Sequence, residues 1–173
     1  MRPTTDEYLP YFDRYVSLVT EDDVLALMNA QAASVHGALS GLSDERAGYR
    51  YASGKWTVRE ALGHLIDTER VFGYRALSIA RGDTFSLPSF EQDDYVAAAG
   101  HDRAPVDELA EEFATLRRSH VLLFRHLDDG AWRRIGTVNQ HPTSPRAIAF
   151  IMAGHVRHHA HVYSERYGIP VRA

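Results

Sequence analysis

Four stretches of the chain carry hydrophobic residues at three- and four-residue spacing, the pattern of an amphipathic helix. The first stretch predicts a helix over roughly 21–41, with an apolar face made of Leu25, Met28, Ala32, Val35, Leu39 and Leu42. No stretch of useful length alternates apolar and polar positions as a half-buried strand does. The pattern therefore predicts long helices and no strands.

The second predicted helix has the clearest boundaries. Thr57 and Glu60 have the spacing of a capping box at a helix start. The apolar stripe continues to about Arg81, and Gly82 suits the left-handed position that follows a helix. These signals predict both ends of the helix, whose core face consists of Val58, Leu62, Leu65, Phe72, Ala76 and Ile79.

The third and fourth helices are predicted from proline and glycine as much as from periodicity. The third begins near Pro105, read as a first-turn proline, and ends at Gly130. Acidic residues follow Pro105, where they are favourable beside the positive end of a helix. The fourth begins with Ser144 as cap and Pro145 in the first turn, and ends before Gly168.

The remaining segments complete the predicted architecture. Residues 83–104 form a connection long enough to fold locally or to work as a lid. An aromatic segment at 8–15 predicts a short helix that closes one end of the bundle or lies in a homodimer contact. Four long amphipathic helices without strands predict an all-α four-helix bundle, with residues 1–173 in one domain and the helix order left open.

Composition narrows the possible functions. The 173 residues are 45% hydrophobic and 24% charged, which is ordinary for a globular protein, and the net charge of −4 gives no reason to expect nucleic acid as a partner. We expect no membrane span and, because the N-terminus lacks a secretory pattern, a cytoplasmic location. There is no cysteine, so any metal must be held by His, Asp or Glu.

Histidines are concentrated in the fourth helix, with four of the ten between positions 155 and 161. His155 and His159 fall about 40° and one turn apart on a helix, within an apolar stripe. Packing explains such a pair poorly, whereas a transition-metal site explains it well. His158 falls on the flank, where it could line a pocket, and His161 falls towards solvent.

A zinc-like site needs at least three protein ligands, so a further histidine is required. His64 lies on the shoulder of the second helix's apolar stripe. His120 lies within the apolar face of the third helix. Its distance from the end of that helix matches the distance of His155 from the start of the fourth helix, if the two helices are antiparallel. Periodicity and depth leave His64 and His120 as equal candidates for the third ligand.

Two motifs taken together resemble the DinB-like superfamily of metal-binding four-helix bundles. They are WTVREALGHLIDTER at 56–70 and AGHVRHH at 153–159, joined by ARGD at 80–83 and PSFEQD at 88–93. The resemblance covers about residues 20–165. It implies one metal ligand from the second helix and two from the fourth, which here are His64, His155 and His159.

The resemblance also implies a class of activities: metal-dependent hydrolases, and transferases or isomerases that use bacterial thiols such as bacillithiol and mycothiol. We therefore expect an enzyme that holds Zn²⁺ or Ni²⁺, acts on a small molecule and, lacking cysteine, takes any thiol as a cosubstrate. Asp67, one turn after His64, is the predicted catalytic residue, orienting the imidazole or accepting a proton. Its alternative is an exposed acid paired with Arg70 or Arg75, and Glu69 is predicted to be solvated.

The competing hypothesis is a non-catalytic bundle that metal stabilises or that binds a partner. A structural site would be closed by a fourth protein ligand, for which His158 and His120 are the spare candidates. A carboxylate-bridged di-iron site requires Glu-x-x-His pairs on two helices, which this chain lacks.

Overall fold

Four long helices form the body of the computed structural model, which describes residues 2–173. In chain order the helices are α1 (Asp13–Val16), α2 (Val24–Leu39), α3 (Asp44–Ala47), α4 (Val58–Arg81), α5 (Gln92–Ala99), α6 (Val106–Arg125), α7 (Asp129–Arg133) and α8 (Pro145–Tyr167). Short 3₁₀ turns occupy Thr5–Glu7, Pro10–Phe12 and His101–Arg103. The long helices are α2, α4, α6 and α8, and they confirm the predicted four-helix bundle.

The order of the helices around the bundle is α2, α6, α4, α8, each packing against the next and α8 against α2. Helices α4 and α8 are therefore neighbours, although α5, α6 and α7 separate them in sequence. None of the helices within residues 2–173 combines the length and the apolar character that crossing a membrane requires.

The predicted boundaries of α4 and α8 are confirmed. The Thr57 hydroxyl accepts a hydrogen bond from the Glu60 backbone N–H at 3.1 Å, and the Glu60 carboxylate accepts one from the Thr57 N–H at 2.7 Å. Gly82 ends α4 with φ +91°, a left-handed conformation that glycine adopts without steric cost. The Ser144 hydroxyl caps α8 by accepting from the Ala147 N–H at 3.0 Å.

The third predicted helix was too long at its C-terminal end. Helix α6 ends at Arg125, and Pro105 precedes its first turn as the cap residue. The Asp128 carboxylate accepts a hydrogen bond from the Ala131 N–H at 2.7 Å and so starts the separate helix α7, which contains Gly130. A local carboxylate cap therefore interrupts an apolar pattern that periodicity alone continues.

The prediction of no strands was wrong. Strand β1 (Gly136–Val138) pairs antiparallel with β2 (His141–Thr143), and the turn residues Asn139 and Gln140 have φ of 48° and 64°. The 83–104 connection folds locally and joins this hairpin, because Leu87 donates to the Thr137 carbonyl at 2.9 Å. Its α5 helix and the stretch before it lie beside α4.

A polar layer crosses the middle of the bundle and divides its core in two. The layer is centred on Arg117 of α6, whose guanidinium donates to the Glu69 carboxylate at 2.6 Å and to the Gln31 side-chain oxygen at 3.0 Å. Gln31 in turn donates to the Ala153 carbonyl of α8 at 2.9 Å. These hydrogen bonds join all four long helices in one layer. The buried hydrophobic residues form two separate clusters, one on each side of it.

Candidate metal centre

Three histidine side chains converge where α4 faces α8. His64 projects from α4, and His155 and His159 project from successive turns of α8. The Nε2 atoms of His64 and His155 are 3.1 Å apart, and one ring nitrogen from each of the three residues lies within 4.8 Å of the others. The structure therefore brings together the three residues that the resemblance implied.

The environment of the cluster keeps all three imidazoles neutral. Their side chains are buried, with residue exposures of 3% for His64, 6% for His155 and 8% for His159. Burial, with a smaller contribution from His158, lowers the pKa of His64 to about 4. Burial and the neighbouring histidines lower the pKa of His155 and of His159 well below the usual value. Neutral imidazole is the form that binds a metal.

The donor set fits a divalent transition-metal ion. Two nitrogens bound to one tetrahedral Zn²⁺ at about 2.05 Å are about 3.3 Å apart, close to the observed 3.1 Å. The Nδ1 atom of His159 is buried without a hydrogen-bond partner. Within residues 2–173, no Asp or Glu forms a hydrogen bond or ion pair with any of the three rings. The cluster thus offers three neutral ligands and leaves further coordination positions for exogenous ligands.

The other histidines considered from the sequence lie elsewhere. His120 contacts the Glu69 carboxylate through Nδ1 at 3.0 Å, within the polar layer, and does not join the cluster. His158 is largely exposed and packs against the Tyr15 ring, with centroids 5.6 Å apart. His161 is exposed, as predicted. In the described part of the chain, none of these three supplies a fourth ligand to the cluster.

The prediction that Glu69 is solvated was wrong. Its side chain is 3% exposed and is held between Arg117 and His120. Sequence periodicity could not indicate this, because the partner of Glu69 is 48 residues away on another helix. A buried carboxylate with a buried guanidinium is a structural element of the bundle rather than a surface charge.

Asp67 is half-buried on α4, and it makes no hydrogen bond to His64. It forms no ion pair with Arg70 or Arg75 either, since Arg70 pairs with Glu112. Burial raises the pKa of Asp67, while His101 and Arg70 act in the opposite direction. Its side chain does not line the cavity beside His64 and His155.

A cavity of about 450 Å³ opens beside the histidines. His64 and His155 lie in its wall, and the aromatic segment 8–15 covers one side. The Tyr15 ring stands edge-on to His155 with centroids 5.2 Å apart, and the Trp56 ring packs on His64 at 4.8 Å. The wall combines polar side chains, several of them from the 83–104 connection, with an aromatic part made of Tyr11, Phe12, Tyr15, Phe72 and Phe90.

Sequence reasoning missed several residues of this site. The aromatic pattern at 8–15 indicates only a bundle end or a dimer contact, yet the Tyr15 ring contacts the predicted ligand His155. Arg75 lines the cavity, whereas its position in the sequence indicates only a surface partner of Asp67. Gly154, which precedes His155 in the motif, allows the Tyr15 backbone to approach α8 closely. Only this glycine carried a signal in the sequence, because a small residue inside a helix often marks a close contact.

Comparisons with known proteins agree with this architecture. Residues 27–162 match the family model described as the DinB superfamily. A solved structure that superposes with a TM-score of 0.75 is YfiT from Bacillus subtilis, described as a probable metal-dependent hydrolase with an unusual four-helix bundle topology. The match is 18% identical and covers 98% of this chain and 94% of that chain, so it shows a shared fold. No curated protein sequence is significantly similar to this chain. The family match spans most of the chain, including all three clustered histidines, and this protein belongs to the DinB superfamily.

Proposed function

We propose that this protein is a metal-dependent hydrolase of a small molecule. His64, His155 and His159 would hold a divalent ion, with Zn²⁺ or Ni²⁺ the expected metals. The observation that carries the proposal is a three-imidazole cluster, without a fourth protein ligand among the described residues, in the wall of a cavity of about 450 Å³. Three protein ligands and an open position are the arrangement of catalytic zinc sites, whereas structural sites are closed by four.

The chemistry follows from the charge of the site. Neutral imidazoles leave a divalent ion its full positive charge, and such an ion lowers the pKa of a bound water towards neutrality and polarises a substrate oxygen. The aromatic side chains of the cavity wall provide a surface for apolar parts of a substrate. YfiT, whose fold this chain shares, is described as a probable metal-dependent hydrolase, which supports the same class.

One observation favours a second candidate, transfer to a thiol cosubstrate. Within residues 2–173 no carboxylate forms a hydrogen bond or ion pair with the three histidines, and the two acids that border the cavity, Glu91 and Asp93, are exposed, so none is held as a general base beside the metal. A metal held by these residues would favour the deprotonated form of a coordinating thiol without such a base. The chain itself has no cysteine, so the thiol would come from solution.

The test is turnover by protein loaded with one metal at a time. A panel of amides and esters measures hydrolysis, and a low-molecular-weight thiol with a model electrophile measures transfer. Metal-dependent turnover that is lost in His155→Ala supports an enzyme, and the panel in which turnover occurs distinguishes hydrolysis from transfer to a thiol. A fold that collapses on chelation, together with no turnover in either panel, would favour the non-catalytic, metal-stabilised bundle.

A further inference from the structure

Arg75 is a buried cation in the cavity wall that no carboxylate neutralises. It projects from α4 and is 5% exposed, yet within residues 2–173 it forms no salt bridge. Its one hydrogen bond goes from the guanidinium to the Pro88 backbone carbonyl. Buried arginines are normally paired, because removing a charge from water is costly.

The structure fixes the guanidinium in place while using only one of its hydrogen-bond donors. The group lies over the Phe72 ring at 5.0 Å and near the Phe90 ring at 5.8 Å from the centroids. The bond to Pro88 adds a third restraint from the 83–104 connection. Most of its N–H donors therefore stay free, in the fork geometry that matches a carboxylate or a phosphate.

We infer that Arg75 is the anion-binding end of the cavity, which holds the carboxylate or phosphate group of a substrate whose reacting end lies at the histidine cluster. This inference rests on the proposed function and specifies its substrate class. His64, Thr68, Phe72 and Arg75 follow one another along the same face of α4 and all line the cavity. The helix rises about 16 Å between the first and the last of them, so the substrate is elongated.

The surroundings of Arg75 are consistent with a missing counter-charge. Burial lowers the pKa of this guanidinium, and among residues 2–173 the opposing effect comes from the Tyr95 phenol rather than from a carboxylate. Glu91 and Asp93 also border the cavity, but both are exposed and neither pairs with Arg75. A bound anion would supply the compensation that the protein does not. Arg75 also borders a smaller cavity of about 290 Å³, which contains none of the clustered histidines.

The experiment compares two ligands that differ in charge, 5-phenylpentanoate and its neutral primary amide. Calorimetric titration is carried out on the full chain, both stripped of metal and loaded with Zn²⁺. Because a hydrogen bond to a charged group is worth more than one to a neutral group, we expect the carboxylate to bind about tenfold or more tightly than the amide in both metal states.

Two neutral variants locate the charge responsible. Arg75→Gln can keep a donor for the Pro88 carbonyl, and Arg75→Met keeps the apolar contact with the aromatic rings, so at least one should fold. In either, the preference should fall to about twofold or less. Arg81→Gln removes the same charge from an exposed position on the same helix, outside the cavity, and should keep the full preference.

Three results would overturn the inference: no binding of the carboxylate by the wild type, a preference that appears only with metal, or a preference unchanged in both Arg75 variants. The outcome is separable from that of the proposed function. If the protein binds no metal but prefers the carboxylate in an Arg75-dependent way, the anion site is supported and the proposed metal chemistry is contradicted. If the protein shows metal-dependent turnover without that preference, the metal chemistry is supported and the anion site is contradicted.

Discussion

At the scale of single residues, this bundle contains a charged pair buried at its centre. Arg117 has a fully buried side chain, and Glu69 is 3% exposed. Their ion pair is completed by Gln31, His120 and the Met152 carbonyl, so few of their polar atoms lack a partner. A buried pair of this kind adds little net stability, but removing one partner leaves the other charge buried without compensation, which is strongly destabilising.

The variant Glu69→Gln should therefore be strongly destabilised. We expect a loss of about 3–5 kcal/mol in the free energy of unfolding, because the Arg117 charge remains buried without its carboxylate. Chemical denaturation measures the loss. Glu112→Gln is the matched control, since Glu112 pairs with Arg70 at the surface, and its cost should be at most about 1 kcal/mol. Equal costs for the two variants would contradict the assignment of a buried ion pair to the polar layer.

Asp67 provides a test of whether a residue beside His64 in sequence supports the metal site. Because Asp67 makes no hydrogen bond to His64, we expect Asp67→Asn to bind metal as tightly as the wild type, within about twofold. Competition with a chromogenic chelator measures the affinity. A loss of tenfold or more would instead assign Asp67 the orienting role, since removal of such partners costs about 10–100-fold.

Spacing along one helix was sufficient to predict His155 and His159 as a pair, but not to choose between His64 and His120. Periodicity gives the face of a helix on which a residue lies and says nothing about which helices are neighbours. In the structure α8 packs against α4 and α2, so His64 reaches the pair while His120 turns to Glu69. The resemblance to a family supplied the information that the spacing lacked.

At the scale of elements, helix ends could be predicted where local side chains determine them. Thr57 and Ser144 cap their helices, and Gly82 and Gly168 end them, as the sequence indicated. The hairpin at 136–143 could not be found this way, because each strand has only three residues and the Asn139–Gln140 turn lacks glycine. Its pairing with Leu87 is a tertiary contact that no local pattern records.

The contact between α1 and α8 depends on the absence of a side chain at Gly154. A Cβ atom built there would lie 2.0 Å from the Tyr15 backbone oxygen. Gly154→Ala should therefore displace the segment that covers the cavity, at a cost of about 1–3 kcal/mol in stability. Gly37→Ala is the control, because Gly37 lies in α2 with nothing within 4 Å of an added Cβ.

The two glycine variants should shift thermal stability in opposite directions. Alanine at position 37 should raise stability by about 0.5–1 kcal/mol, since glycine is unfavourable inside a helix. If Gly154→Ala is as stable as the wild type, the close approach of α1 to α8 is not a feature of the protein.

At the scale of the whole molecule, a buried ion pair joins Glu7, in the segment before α1, to the start of α8. The Glu7 carboxylate accepts hydrogen bonds from the Arg146 Nε at 2.8 Å and the Ser144 hydroxyl at 2.6 Å. Burial alone would raise the pKa of Glu7, but the bonds from Arg146 and Ser144 outweigh it and lower the pKa to about 2. The contact spans 139 residues of sequence, and it fixes the segment that leads into the cavity wall.

This pair predicts a specific dependence of stability on pH. Because the pKa of Glu7 is lower in the folded protein than the value of 4.5 in the unfolded chain, the ionised carboxylate stabilises the fold fully above pH 4.5. This contribution is lost as the pH falls from 4.5 towards 2. Glu7→Gln should therefore cost about 3 kcal/mol at pH 7 and progressively less below pH 4.5. Thermal unfolding of both proteins across this range checks it, and a difference that does not change with pH would contradict the lowered pKa.

The proposed metal chemistry depends on one ion being held jointly by α4 and α8. Metal analysis of purified protein after loading with Zn²⁺ or Ni²⁺ tests this most directly, using the wild type, His159→Ala and, as a control on the same helix, His161→Ala. We predict about one ion per chain in the wild type and in His161→Ala, and almost none in His159→Ala. Equal metal content in all three proteins, or no metal in the wild type, would contradict the assignment of the cluster as a metal centre.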